Sequence, residues 1–293
     1  MGLYESAVLC GDRGTPPGDF VTATGVRVHY VRRGDGPPVV YIHGAKGSVY
    51  DFMLSIGDRL AEHSTAIAFD RPGSGFSGRA TRNGGSPQAQ AAVLRAAAAA
   101  LGLERPLLVG HSFGAAVALA WALAAPAEVA AVVTLGGYVL PLGGPPPWVV
   151  ALMRSRMTLR ATGWLGRSRL GRPLVDSALR RAFFPGSVPE DYARIAPALA
   201  LDEARLINDG DDRKSAEAGL SALQPLYAGL ETPVVVVVGD QDRMVPPSTS
   251  ARLQALLPHA EIVHLPYAGH MPQFTEPDAV LVAVDRAAVL GGI

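Results

Sequence analysis

Leu107-Leu108-Val109-Gly110-His111-Ser112-Phe113-Gly114-Ala115-Ala116 runs from a short apolar stretch, through Gly-x-Ser-x-Gly, into an alanine-rich stretch. Strand formers followed at once by helix formers predict a strand that turns sharply into a helix. Such a turn strains the residue at its apex and brings neighbouring backbone close, which glycine on either side permits. Ser112 then stands at a strand end with its hydroxyl exposed above a helix N-terminus. The Phe113 N–H faces any negative charge that develops on a carbonyl attacked there. These features make Ser112 the candidate nucleophile. Taken alone, the pentapeptide also describes a glycine-rich turn with a solvated serine; the strand before it and the helix after it favour the first reading.

The 293 residues suit one α/β domain with an insertion. Acidic and basic side chains balance at 26 each, which argues against a protein that holds nucleic acid by its phosphates. Cys10 is the single cysteine, so no intramolecular disulfide and no cysteine-based metal site is expected. No stretch reads as a signal peptide or a membrane span, and a cytoplasmic protein without stable membrane insertion is expected.

Outward from the serine, β-branched runs alternate with longer helical patterns, the signature of a mostly parallel sheet with helices on both faces. Strands are expected at 26–32, 39–42, 65–69, 107–109, 129–135, 234–238 and 261–265, and helices at 49–63, 87–101, 113–125, 247–257 and 277–290. The unbroken run Val234-Val235-Val236-Val237-Val238 belongs at the buried centre of the sheet. Regularity stops after residue 137. From 138 to 214 the chain opens on a Gly/Pro cluster, shows no good strand, and sets Arg154, Arg156, Arg160, Arg167, Arg169, Arg172, Arg180 and Arg181 among apolar residues. This predicts a helical cap, or lid, at 138–214, inserted into a core formed by 1–137 and 215–293. Its arginines either solubilise the outer face, their stems lying over apolar surface, or meet an anionic substrate or membrane. Trp148, Met153, Trp164, Phe183 and Phe184 are candidates to line an apolar pocket beneath it.

A serine hydroxyl is a weak nucleophile, so it requires a base, and the base requires an orienting group. After the run ending at Val238 comes Gly239-Asp240-Gln241-Asp242, a polar loop with two acids at a strand end. After the run ending at Leu265 comes Tyr267-Ala268-Gly269-His270, a loop histidine before the last helix. Serine, acid, histidine is thus the order along the chain.

On these residues the chain resembles the α/β-hydrolase superfamily, in particular its lidded, single-domain bacterial serine hydrolases of esterase type; the likeness covers nearly everything but the insert. It implies an α/β-hydrolase fold and a Ser-His-Asp triad of Ser112, His270 and Asp242, the acid falling on the last residue of Gly-x-x-Asp, with Asp240 as the alternative. Tyr41-Ile42-His43-Gly44-Ala45-Lys46-Gly47-Ser48 is similar to the family's His-Gly oxyanion loop, which implies that the Ala45 N–H joins that of Phe113 in an oxyanion hole and that His43 organises the loop. Phe69-Asp70-Arg71-Pro72-Gly73-Ser74-Gly75-Phe76-Ser77 matches the family's D-R-x-G-x-G-x-S turn, in which Asp70 is structural.

Lys46 departs from the usual small or polar residue of such loops, and either binds an anionic part of the substrate or points to solvent. His29, His63, His259 and His264 lack metal-ligand spacing, and His111 reads as the variable position of the turn. No metal is expected. The glycine-rich pieces lack both dinucleotide and nucleoside-triphosphate spacing, so no cofactor is expected either.

The reading is therefore hydrolysis of an ester-like bond in a small, largely apolar substrate. A C–C bond hydrolase, a cofactor-free perhydrolase and a non-catalytic ligand-binding member of the fold are the alternatives. The oxyanion loop lacks the Gly-Pro-Gly continuation usual for C–C hydrolases, and a serine at the turn speaks against the epoxide hydrolases and haloalkane dehalogenases, which use aspartate.

Overall fold

The computed structural model describes residues 16–79, 84–143 and 155–293; Cys10, Trp148, Met153 and Arg154 lie outside them. Eight strands form one sheet: β1 (Asp19–Ala23), β2 (Val26–Arg33), β3 (Pro38–Ile42), β4 (Thr65–Phe69), β5 (Leu107–His111), β6 (Ala131–Leu135), β7 (Val234–Gly239) and β8 (Glu261–Leu265). Their order is β1-β2-β4-β3-β5-β6-β7-β8. From β4 to β8 across the sheet the strands are parallel, while β1 and β2 pair antiparallel at one edge. The helices are α1 (Tyr50–Met53), α2 (Gly57–Leu60), α3 (Pro87–Ala100), α4 (Phe113–Ala124), α5 (Arg156–Arg167), α6 (Arg172–Phe183), α7 (Glu190–Ala200), α8 (Glu203–Leu223), α9 (Ser248–Leu256), α10 (Pro272–Thr275) and α11 (Pro277–Gly291).

The apolar runs are explained by burial on two sides. Alternate strand residues point to opposite faces. Val132, Val234 and Val236 enter a core under α3 and α4, while Val133, Val235 and Val237 enter a second core under α11. Neither face sees water, so the strand sequence need not alternate with polar residues.

Strand order also fixes where a site can form. From β3 the chain crosses to β4 on one side and later to β5 on the other. A crevice opens at the carboxyl ends of strands where the order reverses, and the loops after β3 and β5 hold the two motifs singled out above. Gly114 makes their close approach possible: a Cβ there would lie 2.0 Å from the Ile42 carbonyl oxygen.

Three expectations are corrected. β1 is an additional strand, joined to β2 through Thr24-Gly25 with φ of 50° and 76°, a hairpin turn whose twist suits antiparallel strands. The helix expected at 49–63 breaks into α1 and α2, where the Ser55 hydroxyl donates to the Asp51 and Phe52 carbonyls and Gly57 restarts the chain. Trp164 is not turned inward: it is 68% exposed, because α5 packs through its small residues, with Gly163 buried and Gly166 close against Leu201.

Between β6 and β7 the described residues from 155 on are mainly the four helices α5 to α8, while 136–143 carry no helix, and α8 continues unbroken past residue 214. Among the described residues no helix is long and apolar enough to cross a membrane.

Replacing Gly114 with alanine should force apart β3 and the start of α4. A loss of more than about 3 kcal/mol of stability is expected in urea unfolding.

Candidate active site

Ser112 follows β5 with φ 51° and ψ −119°, a left-handed conformation that a residue with a side chain adopts only under strain. Strain of this kind costs on the order of 1–3 kcal/mol and persists because the surroundings hold it. The Ser112 N–H donates to the Leu135 carbonyl at 2.9 Å, and its carbonyl accepts from the N–H groups of Ala115 and Tyr138. A serine before a helix ordinarily accepts a hydrogen bond from the first turn through its side chain. Here the hydroxyl makes no such bond, so the backbone conformation leaves Oγ uncommitted.

The same strand ends gather His270 and Asp242. His270 Nδ1 donates to Asp242 Oδ2 at 2.7 Å, and both side chains are buried. Asp242 Oδ1 accepts from the N–H groups of Met244 and Val245 at 2.7 and 2.9 Å, so both carboxylate oxygens are held. Gly136, directly after the Leu135 that binds Ser112, presses on this pair. A Cβ at Gly136 would sit 3.2 Å from His270 Nδ1 and 3.3 Å from Asp242 Oδ2. Asp240 points elsewhere, pairing with the exposed His264 at 2.8 Å.

His111, read from sequence as a variable position, is a buried member of this group. Its ring centroid lies 4.9 Å from that of His270, and its Nε2 donates to the His270 carbonyl at 2.8 Å. Burial, with the neighbouring His270 next in effect, lowers its pKa to about 3, so it stays neutral at ordinary pH.

On the other side of Ser112 lies the loop after β3. A Cβ on Gly44 would come within 2.9 Å of Ser112 Cβ, so this peptide passes directly beside the serine. The loop is held by His43 and Arg71. His43 Nδ1 donates to the Gly44 carbonyl at 2.8 Å while its Nε2 accepts the Arg71 N–H at 2.9 Å. These partners fix a neutral tautomer, and burial pushes its pKa down to about 3. The Arg71 guanidinium, 1% exposed, donates to the His43 and Gly44 carbonyls at 2.9 and 3.0 Å, to Gln90 Oε1 at 2.7 Å and to Asp212 Oδ2 at 3.0 Å. It also lies 4.9 Å from the Phe113 ring centroid. In a trans peptide C=O and N–H point opposite ways; holding the Gly44 carbonyl on Arg71 and His43 therefore turns the Ala45 N–H to the other side. Among the described residues neither the Ala45 nor the Phe113 N–H is given to a protein acceptor.

Asp70 accepts from the Val49 and Phe76 N–H groups and from His29 Nδ1, all within 2.8 Å. His29 is accordingly part of the buried support of the loop. Lys46 is exposed with φ 58° and forms no ion pair among the described residues.

The segment between β6 and β7 reaches this site through two buried side chains. Asp212 on α8 meets Arg71 and also pairs with Arg79. Tyr192 on α7 donates its hydroxyl to Asp51 Oδ1 at 3.1 Å, and Asp51 also accepts the Ser48 N–H of the loop. Burial raises the Asp51 carboxyl to about 7, against the partly offsetting Tyr192 hydrogen bond. Phe183 and Tyr192 pack with Phe274 and Met271, the residue after His270.

The α/β-hydrolase-fold family profile matches residues 37–277. This chain belongs to the α/β-hydrolase family. Among curated relatives it is 26% identical to "Putative carbamate hydrolase RutD" of Klebsiella pneumoniae over 259 residues, 83% of this chain and 88% of the relative. Among solved structures it resembles an α/β-hydrolase-fold protein from Burkholderia ambifaria, with a TM-score of 0.77 at 21% identity over 92% of this chain and 97% of that one. A thermophilic esterase from Thermogutta terrifontis matches with a TM-score of 0.66 at 21% identity, over 94% and 99% of the two chains.

The raised Asp51 has a consequence for stability. The folded state keeps a proton on Asp51 that the unfolded chain releases near its ordinary value of 3.8, so this group's contribution falls as pH rises from about 4 to about 7. Asp51→Asn should remove that decline. In urea unfolding the stability of the variant relative to the parent is expected to increase from pH 5 to pH 7.5.

Proposed function

We propose that this hydrolase cleaves an ester-like bond through Ser112, His270 and Asp242 and an acyl-enzyme. The observation that carries the reading is the uncommitted Ser112 hydroxyl on its strained turn, at the strand ends that also hold the buried His270–Asp242 pair. His270 Nε2 takes the Oγ proton as Oγ attacks the substrate carbonyl. Asp242 keeps the tautomer that leaves Nε2 free to accept and stabilises the imidazolium. The Ala45 and Phe113 N–H groups receive the oxyanion; one such donor is worth roughly 3–4 kcal/mol in the transition state. His270 then protonates the departing alcohol and, in the second half, takes a proton from the water that hydrolyses the acyl-enzyme. His111, neutral throughout, steadies His270 by its backbone and adds no positive charge beside the imidazolium.

The curated relative's carbamate and the structural neighbour's ester share an acyl carbonyl bearing a heteroatom leaving group, and that class is assigned here as substrate. Residues 138–214 are assigned as a cap, supported by the reach of Tyr192 and Asp212 to the loop after β3. The apolar cluster of Phe183, Tyr192, Met271 and Phe274 beside His270 favours a small, largely apolar acyl or alcohol group. Lys46, exposed at the loop, is assigned as a contact for an anionic portion where a substrate carries one.

Hydrolysis of p-nitrophenyl esters of increasing chain length tests this. Ser112→Ala and Asp242→Asn should each lower kcat/KM by about 10⁴-fold, whereas Asp240→Asn, altering a surface pair, should change it by less than about tenfold. A Ser112→Ala variant as active as the parent would overturn the reading.

A further inference from the structure

A second cleft, of about 540 Å³, lies between the end of α6 and the turn that follows Asp242, and is lined by Ser177, Arg180, Arg181, Phe184 and Arg243. Its volume is that of a small-ligand site. Among the described residues three arginines line it and no carboxylate does. None of the three forms an ion pair among the described residues. Asp176, one helical turn from Arg180, is taken by Arg172 at 2.9 Å. Asp242, the acid next in sequence to Arg243, is turned away into its bonds with His270, Met244 and Val245.

The arginines are arranged, not merely crowded. The Arg243 guanidinium sits over Phe184, its Cζ 3.1 Å from the ring centroid, a cation–π contact that anchors it at the cleft. Arg181 donates through Nε and Nη2 to the Arg243 carbonyl at 3.2 and 2.9 Å, tying α6 to the turn. The dipole at the C-terminus of α6 accounts for Arg180 and Arg181 in its last turn. It does not account for Arg243, which arrives from beyond β7. Like charges brought together without a counter-charge repel one another, and an oxyanion relieves that repulsion while accepting bidentate bonds from planar guanidinium edges.

We propose that this cleft binds a phosphate-type oxyanion, free or as a phosphomonoester headgroup, through Arg180, Arg181 and Arg243 with the Ser177 hydroxyl. The cleft shares no lining residue with the Ser112 centre but adjoins its supporting chain. Arg243 belongs to the turn whose N–H groups hold Asp242, and the Phe184 carbonyl abuts Gly269, directly before His270: a Cβ at Gly269 would lie 1.7 Å from that oxygen.

Isothermal titration of the intact protein with inorganic phosphate at low ionic strength tests the free source. Flotation with phosphatidylcholine vesicles, with and without phosphatidic acid, tests the lipid source. The comparison set is Arg180→Gln, Arg243→Gln and, as a control for net charge, the exposed Arg252→Gln. The expected result is saturable binding of phosphate, or flotation only with phosphatidic acid, weakened about tenfold in each of the first two variants and unchanged in the third. Thermal midpoints without ligand should match the parent, since these side chains are exposed. No binding in either arm, or equal weakening by Arg252→Gln, would overturn the proposal.

Discussion

The site depends on a single backbone constraint, the left-handed conformation of Ser112 between β5 and α4. Were Ser112 an ordinary helix cap, its hydroxyl would be spent on the first turn of α4. Forced to positive φ, it is released, and the chain swings so sharply that His111 and Phe113 fall on opposite sides of it. His111 reaches the His270 backbone, while Phe113 opens the helix with its N–H free and its ring near Arg71. The strain is held by the parallel sheet around it: the Leu135 carbonyl of β6 fixes the Ser112 N–H, and Gly114 lets the end of β3 lie against the start of α4.

Arg71 holds the other half. One guanidinium spans the loop after β3, α3 through Gln90 and α8 through Asp212, so three elements distant in sequence share a single buried cation. Its charge is met by Asp212, with carbonyl and amide acceptors completing the shell; a buried cation requires this degree of compensation. The peptide beside Ser112 is thereby oriented from behind. The proposed cap and the proposed oxyanion loop are also joined mechanically, since Asp212 belongs to the first and the Gly44 carbonyl to the second. Asp51 and Tyr192 repeat the arrangement with a weaker, protonatable link.

Features governed by local patterning were legible in the sequence. The strands Thr65–Phe69 and Glu261–Leu265 have the expected bounds; the first is buried throughout, and a doubly buried strand has no other way to place its run of apolar residues, whereas the second lies at the sheet edge with only Leu265 buried. The turn at Ser112 was legible because glycine spacing and the change from strand to helix coincide. β1 was missed because Asp19–Ala23 is an edge strand of mixed polarity; the Thr24-Gly25 turn was the available signal. Pairings across long separations left no local trace. Arg71 and Asp212 are 141 residues apart, as are Asp51 and Tyr192, and nothing near either partner names the other. The facing of Trp164 was hidden for a related reason, since the packing of α5 is decided by where Gly163 and Gly166 meet their neighbours.

Covalent capture tests the central claim most directly. A fluorophosphonate probe reacts with a serine only where a base removes its proton and N–H donors receive the charge. Incubation of the folded protein with the probe, followed by digestion and peptide mass spectrometry, should place one adduct on Ser112, absent when the protein is first unfolded. A folded protein that acquires no adduct, or acquires it on another residue, would contradict the account.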